Sequence, residues 1–434
     1  MNRSEKSPLV SLMIVVACHL VLLFIFYCIL SFLGFIKGMP GNDSLVRFDA
    51  VFYKSIVDSG YSYVPGTQSN VAFFPLFPAI WHFLHTSALG ISCVNLLLML
   101  AGVVLLQRTY HIKSPQLLVL LSTPSLFFCY IPYSEAVFFL ASAMLLYGLE
   151  KNTKVAILAI FLACLARSAS TIFIPALIFT LFITFKKGKE PKKQFLKYGL
   201  LIVSSLLALI TTQVVQYLQT GHFFKFFEVQ KQWGRDFKMP TFYLTTWDGV
   251  RLIWLDGLAF FVGALCLVIC AGLLIRKLKN WSRELSPSFV FSITYLGIVT
   301  LIILFFSCVD IFLGGTSIFS LNRFVFATPY FFVFLILSAR YFKINVKNTL
   351  FFVIIAIAVW SLFNANGYLP GLSKYTLPVF KTKLYFALAF LYSLVYFLML
   401  KVKIHQNIWS GLYVFNLIIQ VYLFNCFCND VWVG

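Results

Sequence analysis

Apolar residues run in long blocks separated by short polar segments along nearly the whole chain. A ~30 Å hydrocarbon core is crossed by ~20 residues of helix. Blocks of roughly that length fall at 9–33, 88–106, 116–131, 136–149, 155–167, 171–185, 198–218, 257–275, 289–307, 324–339, 349–364, 384–400 and 408–426. The pattern predicts an all-α polytopic membrane protein of about 13 spans, folded as a single transmembrane domain over 1–434. Composition sharpens this: 61% of the 434 residues are hydrophobic, 11% are charged and the mean hydropathy is +0.91. A soluble globular domain does not have that balance. No small-residue cleavage pattern follows the first block, so it reads as an uncleaved span whose Arg3 and Lys6 flank predicts a cytoplasmic N-terminus.

Two stretches, 116–149 and 155–185, decide the topology. As single helices each would be about 45–50 Å long at ~1.5 Å per residue, well beyond the core. Each also has a polar break, Ile131 to Glu135 in one and Arg167 to Ser170 in the other. Read as hairpins, they put 107–114, 150–154, 186–197, 276–288, 340–348 and 401–407 on the N-terminal side. That side then holds 21 Lys/Arg against 4 Asp/Glu, leaving 13 against 10 for the other. Lys/Arg excess in short loops marks the cytoplasmic face. The net charge of +20 is therefore mostly a topology signal and no sign of nucleic-acid binding. The run from Lys186 to Lys193 reads as an anchor for anionic membrane lipids.

The opposite, outer face holds the reactive side chains. They are Asp49 in a first loop at 35–87, Glu135 and Arg167 at the hairpin tips, a second loop at 219–256, and Arg323. Ionisable groups at a bilayer are costly and mark a pathway or a site, unless a structural partner satisfies them. For Glu135 and Arg167 the structural alternative is a mutual ion pair pinning the hairpins. Asp49 begins an amphipathic helix with an apolar stripe at Phe48, Val51, Phe52 and Ile56 and a stop at Gly60. Its structural alternative is a helix-terminal carboxylate favoured by the dipole. The second loop mixes Lys225, Glu228, Lys231, Trp233, Arg235, Asp236, Trp247, Asp248 and Arg251, in the manner of an acceptor-facing cap or a solvated loop.

Three ordered blocks carry a resemblance. Phe48-Asp49-Ala50, Gly60-Tyr61 and Ala72-Phe73-Phe74-Pro75-Leu76-Phe77-Pro78 form the first. Thr123-Pro124-Ser125 with Tyr133-Ser134-Glu135-Ala136 form the second, and Arg167-Ser168 the third. Together they resemble the PIG-V type (GPI mannosyltransferase 2-like) family of the GT-C glycosyltransferase superfamily, which adds the second mannose to glycosylphosphatidylinositol anchors and has bacterial relatives. The likeness covers 47–168. Beyond it, Asn322-Arg323-Phe324 through Pro329 is similar to an Arg-to-Pro pattern of lipid-linked-sugar transferases.

The resemblance implies a GT-C type helix bundle with its catalytic centre on the luminal or periplasmic face. It implies an inverting mannosyltransferase taking sugar from a polyprenyl-phosphate donor to a hydroxyl of a lipid, glycan or protein. Such a transfer needs a base for the acceptor hydroxyl and cations for the departing phosphate. Asp49 is the expected general base and Glu135 its companion in orienting the acceptor. Arg167, Arg323 and Arg47 are the expected phosphate ligands, since a guanidinium fork suits phosphate oxygens. Tyr53, Tyr61, Phe73, Phe74, Tyr133 and Ser134 are the expected substrate groove. The donor is a substrate, so no cofactor is expected; no metal site is expected either, the six His being scattered and CxxC pairs absent. Cys18, Cys164 and Cys266 read as small buried hydrophobes within spans. Short loops and Phe- and Lys-rich composition point to a bacterial inner membrane with a periplasmic site; in a eukaryote the site would face the endoplasmic reticulum lumen. The rival classes are a lipid or glycan flippase or transporter, which usually shows internal repeats with broken helices in matching positions, and a non-catalytic scaffold.

Overall fold

The computed structural model describes residues 8–185, 190–246, 250–279, 284–306, 315–341, 345–363 and 406–434. The described residues form seventeen α-helices and no strand beyond two isolated bridges, Leu244 with Phe363 and Thr245 with Ser317. In chain order the helices are α1 (Pro8–Phe32), α2 (Asn42–Leu45), α3 (Asp49–Ser59), α4 (Leu76–Leu84), α5 (Ala88–Tyr110), α6 (Ser114–Leu121), α7 (Glu135–Lys151), α8 (Thr153–Ala166) and α9 (Ser170–Thr184). Then follow α10 (Pro191–Thr220), α11 (Lys225–Gln232), α12 (Val250–Leu278), α13 (Pro287–Phe305), α14 (Leu321–Phe326), α15 (Pro329–Tyr341), α16 (Val346–Ser361) and α17 (Gln406–Cys428).

Among the described residues, six helices are long and apolar enough to cross a membrane by themselves: α1, α5, α10, α12, α13 and α17. The protein is thus a polytopic helical membrane protein. α8, α9, α15 and α16 are apolar but shorter. Two expected spans are divided. The 116–131 block stops as α6 at Leu121 and resumes as a 3-10 run at Pro124–Cys129, and 324–339 breaks between Phe326 and Pro329. Proline explains both, because it lacks an N–H and disfavours helical backbone in the residue before it. The 384–400 block lies outside the described residues, as do Arg3, Lys6, Lys186 to Lys189, Trp247 and Asp248. The breaks expected at 131–135 and 167–170 are present, with α7 starting at Glu135, α8 ending at Ala166 and α9 starting at Ser170. The second loop is shorter than expected, since α12 begins at Val250 and takes Asp256 into the bundle. Cys164 and Cys266 are buried as expected, but Cys18 is exposed.

A broken segment inside a bundle leaves carbonyls that water cannot reach, and neighbouring side chains must satisfy them. Here α17 does so. Gln420 Nε2 donates to the Leu121 carbonyl at 3.3 Å and the Thr123 carbonyl at 3.2 Å, and Asn416 Nδ2, one turn earlier, donates to Ser122 Oγ at 3.2 Å. Gln420→Leu is expected to strand the Leu121 carbonyl, the Thr123 carbonyl keeping its bond from Leu126 N, at a cost of about 1–3 kcal/mol. The measurement is the thermal unfolding midpoint in detergent, and a midpoint at or above that of the wild type would refute the role.

Helix pairs approach closely where small residues allow it. A Cβ on Gly263 would lie 1.8 Å from Thr300 Oγ1, and one on Gly297 would lie 2.8 Å from Leu267 Cδ2, which locks α12 to α13. Gly148 faces the Ala156 backbone in the same way. There Asn152 closes α7 and caps α8 through bonds from Lys154 N and Val155 N, joining two helices almost without a loop. α15 is buried over Pro329 to Leu337 and sits at the centre, with Tyr330 packed on Tyr295 at 4.1 Å and on Phe291 at 5.6 Å.

Five of the basic loops meet at one end of this bundle. Lys197 donates to the Leu149 carbonyl, Lys277 to those of Ile183 and Phe185, and Arg340 to that of Tyr110, while Glu150 accepts from Ser286 and Ser288. Three of the cations thereby cap helix carboxyl ends, where positive charge is favoured. The other end gathers the two long polar loops.

Candidate active site

The site begins with α3. Asp49 opens it and Gly60, at φ +77°, ends it by donating its N–H to the Ile56 carbonyl. Ahead of Asp49, Phe48 sits at φ +49°, a conformation that costs a bulky residue energy and persists only when neighbours over-determine it. They do: Phe48 is held edge-on by Trp432 at 4.9 Å and tilted against Phe427 at 5.8 Å. The Asp49 N–H donates to Tyr133 Oη at 3.2 Å, which ties the start of α3 to the segment before α7. That segment is itself pinned by Asn95, whose Nδ2 donates to the carbonyls of Ile131 and Tyr133 at 2.6 and 2.9 Å.

Four ionised side chains from four chain segments form one chain of contacts. Arg323 Nη1 donates to Asp49 Oδ2 at 2.6 Å. Arg323 Nε and Arg167 Nη1 both donate to Glu135 Oε1. The ion pair that a purely structural reading of Glu135 and Arg167 calls for is therefore present, but it extends through Arg323 to Asp49. Glu135 is fully enclosed, whereas the side chains of Asp49 and Arg167 keep 15% and 14% of their surface exposed. The inner carboxylate holds the two guanidinium groups, and the outer one is open to a ligand.

Aromatic faces complete the setting. Arg323 lies over Tyr133 at 4.6 Å and Phe128 at 5.3 Å, and Arg167 over Phe324 at 4.7 Å. A ring face attracts a cation and leaves its edge donors free to point elsewhere. Arg323 also depends on α14, a six-residue helix that begins after Ser320 at φ +68° without a side-chain cap. The support comes from α12, where buried Asp256 accepts from the Asn322 N–H at 2.9 Å and from Asn322 Nδ2 at 2.7 Å.

An open cleft lies over this cluster. Asp49, Arg167 and Arg323 line its bundle side with Tyr53, Phe73 and Phe74, while Gln230, Trp233 and Arg235 of the second loop line the facing side. Phe52 stacks on Phe73 at 5.2 Å and meets Trp233 edge-on at 5.0 Å, so the aromatic wall runs continuously from one loop to the other. Tyr63 donates to Glu228, which also accepts from Lys225 Nζ at 2.6 Å. The Lys225 ammonium holds the exposed Glu228 below the usual carboxylate range, and this contact latches α11 to the first loop.

The structure divides the expected site residues. Asp49, Glu135, Arg167 and Arg323 come together, and Tyr53, Phe73 and Phe74 line the cleft. Arg47 does not join them. Its guanidinium pairs at 3.4 Å with exposed Asp430, because the turn at Phe48 sends residues 47 and 49 to opposite sides. Tyr61, Tyr133 and Ser134 stand behind the cleft instead of lining it. Tyr61 Oη donates to the Phe73 carbonyl at 3.0 Å, Tyr133 supports Arg323, and Ser134 Oγ accepts from Tyr53 Oη at 2.8 Å. Burial pushes the Tyr53 and Tyr61 hydroxyls well above their ordinary pKa, which keeps both as donors. Sequence reasoning missed Asp256 and Gln230, named Phe324 only within the Arg-to-Pro pattern, and placed Trp233 and Arg235 only in a general cap. A lone carboxylate at the start of an apolar helix was the available signal for Asp256.

Comparison with models of protein families, with curated proteins and with solved structures finds no match to this chain.

Proposed function

We propose that the protein is an inverting glycosyltransferase. It moves a hexose, mannose by its motif likeness, from a polyprenyl-phosphate donor to a hydroxyl of a lipid-linked, glycan or protein acceptor. The observation that carries this reading is the Asp49, Arg323, Glu135 and Arg167 cluster at the floor of an aromatic-walled cleft. A transporter needs a path and a scaffold needs neither base nor cation, whereas glycosyl transfer uses both.

In the proposed reaction the acceptor oxygen attacks the anomeric carbon and its proton passes to Asp49. The bond from that carbon to the phosphate oxygen breaks, and the electron pair leaves with the phosphate. Arg167 and Arg323 stabilise the growing negative charge, preorganised by Glu135 so that little reorganisation is needed during the step. Glu135 thus serves the cations more than the acceptor. Arg235 faces the same space from the second loop.

The proposed orientation places the cleft on the outer face, periplasmic in a bacterial inner membrane. It is supported by the basic loops that meet at the opposite end. The bundle of GT-C type and the full set of about 13 spans belong to the same proposal.

Purified protein in detergent, where no compartments exist, is expected to transfer mannose from short-chain polyprenyl-phosphate-mannose to an acceptor extract with release of polyprenyl phosphate. Radiolabelled donor and chromatography of the products measure it. Absence of transfer in detergent together with donor movement across reconstituted vesicles would replace this reading with a flippase.

A further inference from the structure

Asp256 is a buried carboxylate that the reaction above does not use. It lies on α12, away from the cleft lining, and is fully enclosed. Oδ1 accepts from the Asn322 N–H and Asn322 Nδ2, and Oδ2 accepts from Thr246 Oγ1 at 2.6 Å. A carboxylate in an apolar helix is expensive, and a well-packed hydrophobic residue usually serves stability as well or better. The two oxygens must therefore be judged by what they hold.

The first oxygen holds the arginine helix. The opening N–H groups of any helix lack intrahelical partners, and a helix as short as α14 does not sustain itself. Asp256 takes the Asn322 N–H as a remote cap supplied by another helix. Asn322 Oδ1 in turn accepts from Ser125 Oγ at 2.8 Å, so residue 322 is fixed from two sides. The next residue is Arg323, whose guanidinium must meet Asp49 and Glu135 at once.

The second oxygen holds the loop. Thr246 ends the strap 241–246 that returns from Trp233 and Arg235. Bonds from Thr245 N to Thr316 O at 2.9 Å, Thr316 N to Thr241 O at 3.0 Å and Ile318 N to Thr245 O at 2.9 Å stitch this strap to the segment leading into α14.

We infer that Asp256 is a positioning residue for both walls of the cleft: Oδ1 sets Arg323 through Asn322, and Oδ2 tethers, through Thr246, the strap bonded to residues 316–318, next to Phe319 and Phe324 on which Arg235 packs. The kinetic part of this inference rests on the transferase reading.

The two arms are separable by experiment on the full-length protein. Asp256→Asn is expected to lower kcat about 10- to 100-fold, the scale of a small misplacement of a reacting group. Thr246→Val removes only the strap bond and is expected to raise KM for polyprenyl-phosphate-mannose about 3- to 10-fold with kcat within about twofold, since the loop wall binds without reacting. The exchanged pair Asp256→Asn with Asn322→Asp restores an amide-to-carboxylate bond between the same positions and is expected to recover much of the lost kcat. Hydrogen exchange read by mass spectrometry adds a measure independent of activity: Asp256→Asn should speed exchange in 318–328 and leave 135–150 unchanged. Wild-type kinetics and exchange in Asp256→Asn would overturn the inference, as would uniform loss of protection with no rescue by the exchanged pair. Should the wild type transfer no sugar, the transferase reading falls by itself. Exchange in 318–328 then decides the clamp, faster upholding it and unchanged overturning it.

Discussion

Asp49→Asn is expected to reduce sugar transfer about 10²- to 10⁴-fold while the protein still folds and inserts, the range measured when a positioned general base is removed. Asparagine has nearly the same shape and remains acceptable at a helix start, so α3 survives. The amide accepts no proton at neutral pH, and its oxygen offers Arg323 a neutral partner in place of a charged one. Glu135 still holds Arg323 through Nε, so the cation keeps its place and the loss is chemical. Initial rates with detergent-purified protein measure the effect, and a thermal unfolding midpoint within a few degrees of wild type assigns it to chemistry. A variant that transfers at close to the wild-type rate would remove Asp49 from the proposed role.

The largest effect on stability is expected at Glu135. Glu135→Ala removes the carboxylate from between Arg323 and Arg167, whose side chains are only 5% and 14% exposed. Removing one partner of a buried ion pair leaves charge uncompensated and costs about 3–5 kcal/mol. An exposed pair supplies the contrast. Lys193 and Glu190 are joined at 2.6 Å but 75% and 66% exposed, so Glu190→Gln is expected to change stability by less than about 1 kcal/mol. Unfolding in mixed micelles with increasing denaturing detergent measures both. Equal effects would mean that Glu135 carries no special burden, and the inner half of the cluster would lose its explanation. Glu135→Gln should fall between, since it fills the space and accepts from one guanidinium without balancing either charge.

Much of the site was legible because its signals are local. The stripe at Phe48, Val51, Phe52 and Ile56 with Gly60 behind it specifies a short helix with Asp49 at its start, and the structure has it over Asp49–Ser59. The polar breaks at 131–135 and 167–170 had to interrupt the helices, since no continuous helix of that length matches a bilayer. Charge parity grouped the basic loops, and Lys197, Lys277 and Arg340 meet the same end of the bundle by direct contact.

Other features needed the third dimension. Arg47 and Asp49 are two residues apart and both polar, yet a single positive φ at Phe48 sends one to Asp430 and the other to Arg323. No hydrophobic period encodes that turn. Tyr61, Tyr133 and Ser134 belong to the motif blocks but stand one layer back, because a motif records which residues are kept together and not which of them faces the cleft. The 116–131 block shows the limit of hydropathy. Its apolar content suits a span, but Pro124 divides it, and amides from Asn416 and Gln420 make the break tolerable.

By itself the sequence determined that this is a membrane protein of many helices, that its basic loops and its long polar loops lie at opposite ends, and that Asp49 begins a helix. Each of these follows from apolar run length, charge placement or helical period, which act over a few turns of chain. Only the tertiary structure decided that Asp49, Glu135, Arg167 and Arg323 form one cluster, that Trp233 and Arg235 face it, and that Asp256 stands behind it. Those contacts join residues 32 to 274 positions apart. Their partners are chosen by how helices pack and by the cost of leaving a buried charge alone, which no local pattern records.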